Sequence, residues 1–278
     1  MLLPRGQDVY PNQAEWDTFY ASFKKLSGLD LHKYKANQLQ RRVWTMVESK
    51  SFKDLPEFTE WLKQAEDNIV WFLDRLAINV SEMFRNPAKW EELRTIVLPH
   101  LLKSTSRLKC WSAGCSYGAE AHSLAMLLDQ YFPGQHSIVG TDIDVAALDQ
   151  ARRGEFSLAD TKNVPRPLLD KYLAKDGETW RAQPSLKRYL SFKKQNILDD
   201  PFDKNFDLIL CRNVVIYFTD EAKDHLYHKF FNALRPGGIL LVGGTERIFS
   251  SESIGFESSL PFFYERPDKG EKLWRNAS

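Results

Sequence analysis

The stretch RLKCWSAGCSYGAEAHSLAM (residues 107–126), closed by GTDID (residues 140–144), decides the fold of this 278-residue chain. Residues 108–113 form an apolar run that reads as a strand. Gly114, Ser116 and Gly118 follow as a turn of small residues, in which backbone can approach a ligand closely. Residues 120–131 carry Leu124, Leu127, Leu128 and Tyr131 at roughly helical spacing, which predicts a helix. A second strand over residues 137–141 runs into Asp142. In a doubly wound sheet, the acid closing the second strand reaches ribose hydroxyls, and the glycine turn lies under the rest of the cofactor. The pattern predicts a nucleoside site and does not say which nucleoside.

Working outward, strand and helix alternate downstream, as in a parallel sheet with crossover helices. Residues 145–153 predict a short helix stopped by Gly154, and residues 166–173 another. Residues 179–192 place Trp180, Leu186, Tyr189, Leu190 and Phe192 among polar residues, which predicts two or three short antiparallel strands inserted between helices. FDLILC (residues 206–211) has the near-continuous apolar character of a buried parallel strand. Thr219 is a candidate N-cap for a helix to residue 234, with Asp220 and Glu221 favourably placed in its first turn. Pro236-Gly237-Gly238 stops it, and strands follow at 239–242 and 262–265. Upstream the chain reads as helical, with helices at 16–26, 34–48, 55–64 and 69–78, and another at 90–102 leading into the first strand. The expected architecture is α/β: a doubly wound, mostly parallel sheet domain over residues 91–278. A helical domain and linker occupy residues 1–90, and a small antiparallel β insert lies near residues 174–193.

Composition narrows the function classes. Forty-three per cent hydrophobic residues, with eight Trp and eighteen Phe, provide for a packed core and argue against disorder. A formal charge of +1 gives no global field that would attract nucleic acid. Cys110, Cys115 and Cys211 are odd in number and lack CxxC spacing, so they read as reduced thiols rather than a disulfide framework or zinc site. His122, His225 and His228 show no metal spacing, and no metal is expected. No apolar run approaches the roughly 18 residues of a membrane span. A soluble, cytoplasmic monomer without membrane insertion is the expectation. Between Lys33 and Lys50, five cationic residues, Arg41 and Arg42 among them, stand against one anion, a local charge run of the kind that usually forms a solvated face.

Five ordered blocks carry a family resemblance from about residue 26 to residue 265: NVSEMFRNP (79–87), WSAGCSYGAEAHSLAM (111–126), GTDID with ALDQARRGEF (140–156), CRNVVIYF (211–218) and GGILLVGGTE (237–246). The chain resembles the bacterial CheR-type chemotaxis-receptor methyltransferases, which are S-adenosylmethionine-dependent protein-glutamate O-methyltransferases. The resemblance implies that S-adenosylmethionine is the cofactor, S-adenosylhomocysteine the product and a chemoreceptor cytoplasmic domain the partner. It places Asn79, Ser81 and Arg85 at positions that line the cofactor and active site. Gly114 lies in the cofactor turn, Glu120 matches a cofactor-contacting glutamate, and Asp142 matches the ribose-binding acid. Asn196 and Ile197 match the pair that flanks the adenine, Arg212 and Asn213 a cofactor-contacting dipeptide, and Tyr217 the active-site tyrosine. The β insert resembles a receptor-docking subdomain, and the helix of Arg41 and Arg42 resembles the receptor-facing helix.

The chemistry is consistent with these residue types. A glutamate nucleophile is already ionised at neutral pH, with an unperturbed pKa near ~4.3, so no strong general base is needed. The enzyme's task is alignment and exclusion of water, for which Arg85 and Tyr217 are the candidate catalytic residues. The chain departs from the family at Tyr117-Gly118-Ala119-Glu120-Ala121-His122, where Thr-Gly-Glu-Glu-Pro-Tyr is usual. The ring of Tyr117 is expected to narrow the pocket. Two alternatives follow from that loop: a catalytically weakened binding or scaffold module in a sensory array, or a methyltransferase acting on another protein or a small acid.

Overall fold

A computed structural model describes residues 10–76 and 81–268. The chain forms two compact units, one comprising residues 1–78 with 217–222, the other residues 79–216 with 223–278.

The first unit is helical. Helix α1 (Gln13–Ser27) opens with a capping box, in which Asn12 accepts the Glu15 N–H at 3.1 Å and Glu15 accepts that of Asn12 at 2.8 Å. It ends at Gly28, whose φ of 75° is the left-handed cap that glycine adopts without cost. The buried face of α1, with Trp16, Phe19 and Phe23, meets Phe58 of α3 (Leu55–Gln64) and Phe72 of α4 (Glu66–Leu76). Helix α2 (Ala36–Ser49) buries Leu39, Val43, Met46 and Val47. Residues 217–222 join this unit through a two-residue antiparallel contact: Lys35 N donates to Tyr217 O and Thr219 N to Lys33 O, each at 2.9 Å.

The second unit is a seven-stranded sheet flanked by helices. Its strands are β1 (Lys109–Ala113), β2 (Ser137–Asp142), β6 (Leu190–Lys194), β7 (Phe206–Cys211), β8 (Leu234–Val242), β9 (Glu257–Leu260) and β10 (Phe263–Glu265), in the order β6-β2-β1-β7-β8-β10-β9. The first five run parallel, and β10 is antiparallel to both β8 and β9. β3 (Glu155–Ser157), β4 (Leu173–Asp176) and β5 (Thr179–Ala182) form a separate antiparallel sheet. The helices are α5 (Pro87–Glu92), α6 (Leu98–Leu101), α7 (Ala119–Tyr131), α8 (Val145–Arg153), α9 (Arg166–Tyr172), α10 (Asp220–Ala233) and α11 (Ser251–Ile254). One core cluster has Cys110, Leu208, Leu210, Ile239 and Leu241 from the sheet with Leu124 and Leu128 of α7, while the Trp111 ring packs on Phe206 and on Phe230 of α10. All three cysteines are buried and unpaired. Among the described residues, no helix is long and apolar enough to cross a membrane.

Three local readings of the sequence are refined. Leu190–Lys194 belongs to the main sheet, pairing parallel with β2, and the antiparallel insert instead recruits β3. β6 is a half-buried edge strand, so its residues alternate like those of a hairpin. The predicted helix at 90–102 begins at Pro87 and contains a π-helical turn at Leu93–Val97, where Leu98 N donates to Leu93 O. Pro99 has no N–H to offer the carbonyl of residue 95, which accounts for the shifted register. Pro236-Gly237-Gly238 lies inside β8, where Gly237 N donates to Arg266 O at 2.7 Å and Arg266 N to Gly238 O at 2.9 Å.

β1 is the switch point of the sheet. After β2 and β6 build outward on one side of it, β7 returns to the other. Loops at the carboxyl ends of β1, β2 and β7 therefore converge, which is where open α/β sheets bind ligands.

Candidate cofactor and active site

The turn after β1 holds three residues with positive φ: Gly114 (73°), Ser116 (49°) and Gly118 (81°). Gly114 N and Cys115 N both donate to Thr141 O, at 2.8 and 2.9 Å, so the turn is fastened to the end of β2. Ser116 N then donates to Asp142 Oδ2 at 2.7 Å, and Asp144 N to Asp142 Oδ1 at 3.0 Å. Burial raises the Asp142 carboxyl above the usual carboxylate range, while N–H groups of Asp144, Ser116 and Ile143 oppose it. Capping of α8 falls to Asp144, whose side chain accepts Ala147 N at 2.9 Å, so Asp142 is not consumed as a helix cap.

Glu120 stands in the first turn of α7, where a carboxylate is favoured by the helix dipole. Ser112 Oγ donates to its Oε1 at 2.7 Å, and Arg212 Nη1 lies 3.6 Å from Oε2. Both side chains are largely buried, at 13% and 5% exposure. Desolvation pushes the Glu120 carboxyl up and the Arg212 guanidinium down, and each holds the other partly back. Arg212 also donates Nη2 to Arg85 O at 2.7 Å, while its buried Nε has no protein partner. A buried ion pair with an unsatisfied donor is costly unless something completes it.

Asn213 follows with φ 61° and donates its N–H to Glu246 Oε2 at 2.6 Å. Gly243 N reaches the same oxygen at 2.7 Å, and Val214 and Ile216 contribute further N–H groups. Glu246 thus fixes the turn that carries Arg212 and Asn213, a role the sequence reading did not give it. Its signal is the acid soon after Gly243-Gly244 at the end of a strand. A Cβ at Gly243 would stand 2.3 Å from Glu246 Oε2, so glycine is needed for that approach.

The remaining expected site residues fall as follows. Gln195 N donates to Asp142 O at 2.9 Å, which brings Asn196 and Ile197 to the carboxyl end of β6 beside Asp142. The Asn196 side chain is engaged locally, accepting Leu198 N and donating to Asp199. Ser81 is bound through its backbone to Tyr117. Asn79 lies outside the described residues. Arg85 is half-buried, and its carbonyl accepts from Arg212 and from Trp90 Nε1. Tyr217, Arg41 and Arg42 belong to the helical unit. Arg41 is exposed there, whereas Arg42 is half-buried and donates Nε to Arg75 O at 2.6 Å. Tyr117, expected to narrow the pocket, has its ring in the core beside Phe156.

S-adenosylmethionine carries a ribose diol, an ammonium and a carboxylate. Asp142 and Glu120 offer acceptors for the first two, and Arg212 offers a donor with an unpartnered, buried Nε for the third. The residues present fit that group.

Residues 79–260 match the family described as CheR methyltransferase, SAM binding domain. The chain is 37% identical over 243 residues to a chemotaxis protein methyltransferase of Listeria monocytogenes, covering 87% of this chain and 93% of the relative. It is 31% identical to one from Borreliella burgdorferi, covering 86% and 89%. A third, from Salmonella typhimurium, is 26% identical with 88% of each chain covered. With its site at the switch point and the match spanning most of its length, the chain belongs to the CheR methyltransferase family and its cofactor is S-adenosylmethionine.

Proposed function

We propose that this methyltransferase esterifies glutamate side chains on the cytoplasmic helices of a chemosensory receptor. The observation that carries the reading is the buried Glu120–Arg212 pair, together with Asp142 held by the Ser116 N–H of the turn after β1, in a chain that spans nine-tenths of relatives named as chemotaxis methyltransferases. S-adenosylmethionine supplies a methyl group on a cationic sulfur. Glu120, Asp142 and Arg212 bind and orient that group. Arg85 is proposed to hold the incoming carboxylate through its guanidinium fork, loosely enough to release it as its charge is lost. Tyr217 is proposed as a second active-site residue on the strength of the family resemblance alone. No side chain is required as a strong base, because a glutamate is ionised at neutral pH. Each esterified glutamate removes one negative charge, which lessens repulsion between packed acidic helices and shifts the receptor's signalling equilibrium.

The test is transfer of labelled methyl groups from S-adenosylmethionine to a receptor cytoplasmic fragment. The expected product is alkali-labile and releases methanol, as a glutamyl ester does. Arg85→Ala should retain S-adenosylhomocysteine affinity within a few-fold and lose on the order of 100-fold in transfer. Alkali-stable incorporation, or none with a folded protein that binds cofactor, contradicts the assignment.

A further inference from the structure

Residues 81–86 approach the site from the chain's first half, and two of them are strained. Phe84 and Asn86 have φ of 52° and 61°, a left-handed backbone that a phenylalanine seldom adopts unless its surroundings impose it. The imposing contacts form a series along the segment. Met83 N donates to Asp160 O at 2.8 Å, and Glu82 pairs with Lys162 at 2.7 Å. Phe84 N donates to Ser123 Oγ at 3.0 Å, and Arg85 O accepts from Arg212. At the head of the series stands Tyr117. Its hydroxyl accepts Ser81 N at 3.1 Å and has two acceptors for its single proton, Ser81 O and, at 2.9 Å, Asp160 Oδ1. The ring is buried and cannot follow a moving segment without leaving the core.

Tyr117 also immediately follows Ser116, whose N–H binds Asp142. One turn therefore holds the ribose-binding acid through its backbone and the strained segment bearing Arg85 through the next side chain. We infer that Tyr117 is a positioning residue: its hydroxyl, with Asp160, clamps residues 81–85 to the cofactor turn and couples the order of that segment to cofactor binding. The coupling rests on the cofactor reading above. The clamp itself rests only on the contacts just described.

The experiment uses the full-length chain and three substitutions: Tyr117→Phe, Asp160→Asn and Tyr172→Phe. Tyr172 is a buried control whose hydroxyl donates to Asp129 at 2.6 Å. Two quantities are read, amide hydrogen exchange in residues 81–85 and S-adenosylhomocysteine affinity by calorimetry. Tyr117→Phe should speed exchange in that segment selectively and weaken the affinity by roughly 3- to 10-fold, the worth of about one hydrogen bond. Asp160→Asn in the Tyr117→Phe background should add little, because the two groups act as one unit. Tyr172→Phe should lower thermal stability comparably and leave both readings at wild-type values. Wild-type exchange and affinity in Tyr117→Phe, or equal effects of Tyr117→Phe and Tyr172→Phe, would overturn the clamp. If the wild type itself binds no S-adenosylhomocysteine, the cofactor reading fails, and the exchange comparison still decides the clamp.

Discussion

His122 of α7 is a polar residue held in a core role. Its ring is 3% exposed, lies edge-on to Phe156 and parallel to Phe192, and has Nδ1 2.8 Å from Gly118 O. Burial disfavours the charged imidazolium and lowers its pKa to about 4, only partly opposed by the Gly118 carbonyl. In the unfolded chain the ring titrates near ~6.5. Between those values the unfolded state binds the proton and the folded state does not, so stability falls as pH drops from 6.5 towards 4. We expect wild type to lose about 2 kcal/mol more than His122→Tyr between pH 7.5 and pH 5 in urea unfolding. Parallel losses in the two proteins would place the titration elsewhere. At this scale the sequence was legible where a residue ends a predicted strand, as Asp142 does. Which of Asp142 and Asp144 caps α8 is decided by backbone geometry, since the two acids stand two residues apart and Asp144 takes the cap. Glu246 was less legible still, since its partners are N–H groups of a distant turn and carry no side-chain signature.

Among elements, the turn after β1 constrains the site most tightly. A Cβ on Gly114 would lie 2.5 Å from Val214 Cγ2, and the φ of 73° is unfavourable for any other residue. Gly114→Ala should therefore cost about 2–4 kcal/mol of stability, of which roughly 1–2 is backbone strain and the rest is the clash. Adding Val214→Ala should recover the clash and leave the strain. Denaturant melts of the single and double variants measure both parts, and full recovery in the double would show that the backbone carries no strain. Elements with complete local signals were readable in the sequence. Residues 55–64 and 145–153 form helices with those same limits, because Asp54 and Asp144 cap their starts and Gly154 stops the second. β3 escaped notice because it has three residues and its partner lies more than twenty positions away. β9 was hidden in the polar stretch Glu257–Leu260, an edge strand with no alternating apolar face.

For the whole molecule, the alternation of strand and helix after residue 105 and its absence before made the two classes of structure readable. Residues 81–90 cluster with the sheet unit and residues 217–222 with the helical one. The latter grouping depends on two backbone hydrogen bonds between Lys33-Lys35 and Tyr217-Thr219, a pairing with no periodicity to betray it. The near-neutral charge of +1 likewise says little about a partner, whose recognition must lie in local features. We propose that Asp142, Glu120 and Arg212 form an S-adenosylmethionine site at the switch point of the sheet. Calorimetric titration of the full-length protein with S-adenosylhomocysteine, beside Asp142→Ala, tests it without any knowledge of the methyl acceptor. Loss of a charged hydrogen bond, worth about 1.5–3 kcal/mol, predicts affinity weakened roughly 10- to 150-fold in the variant. Equal affinity in the two folded proteins, or no binding by either, would contradict it.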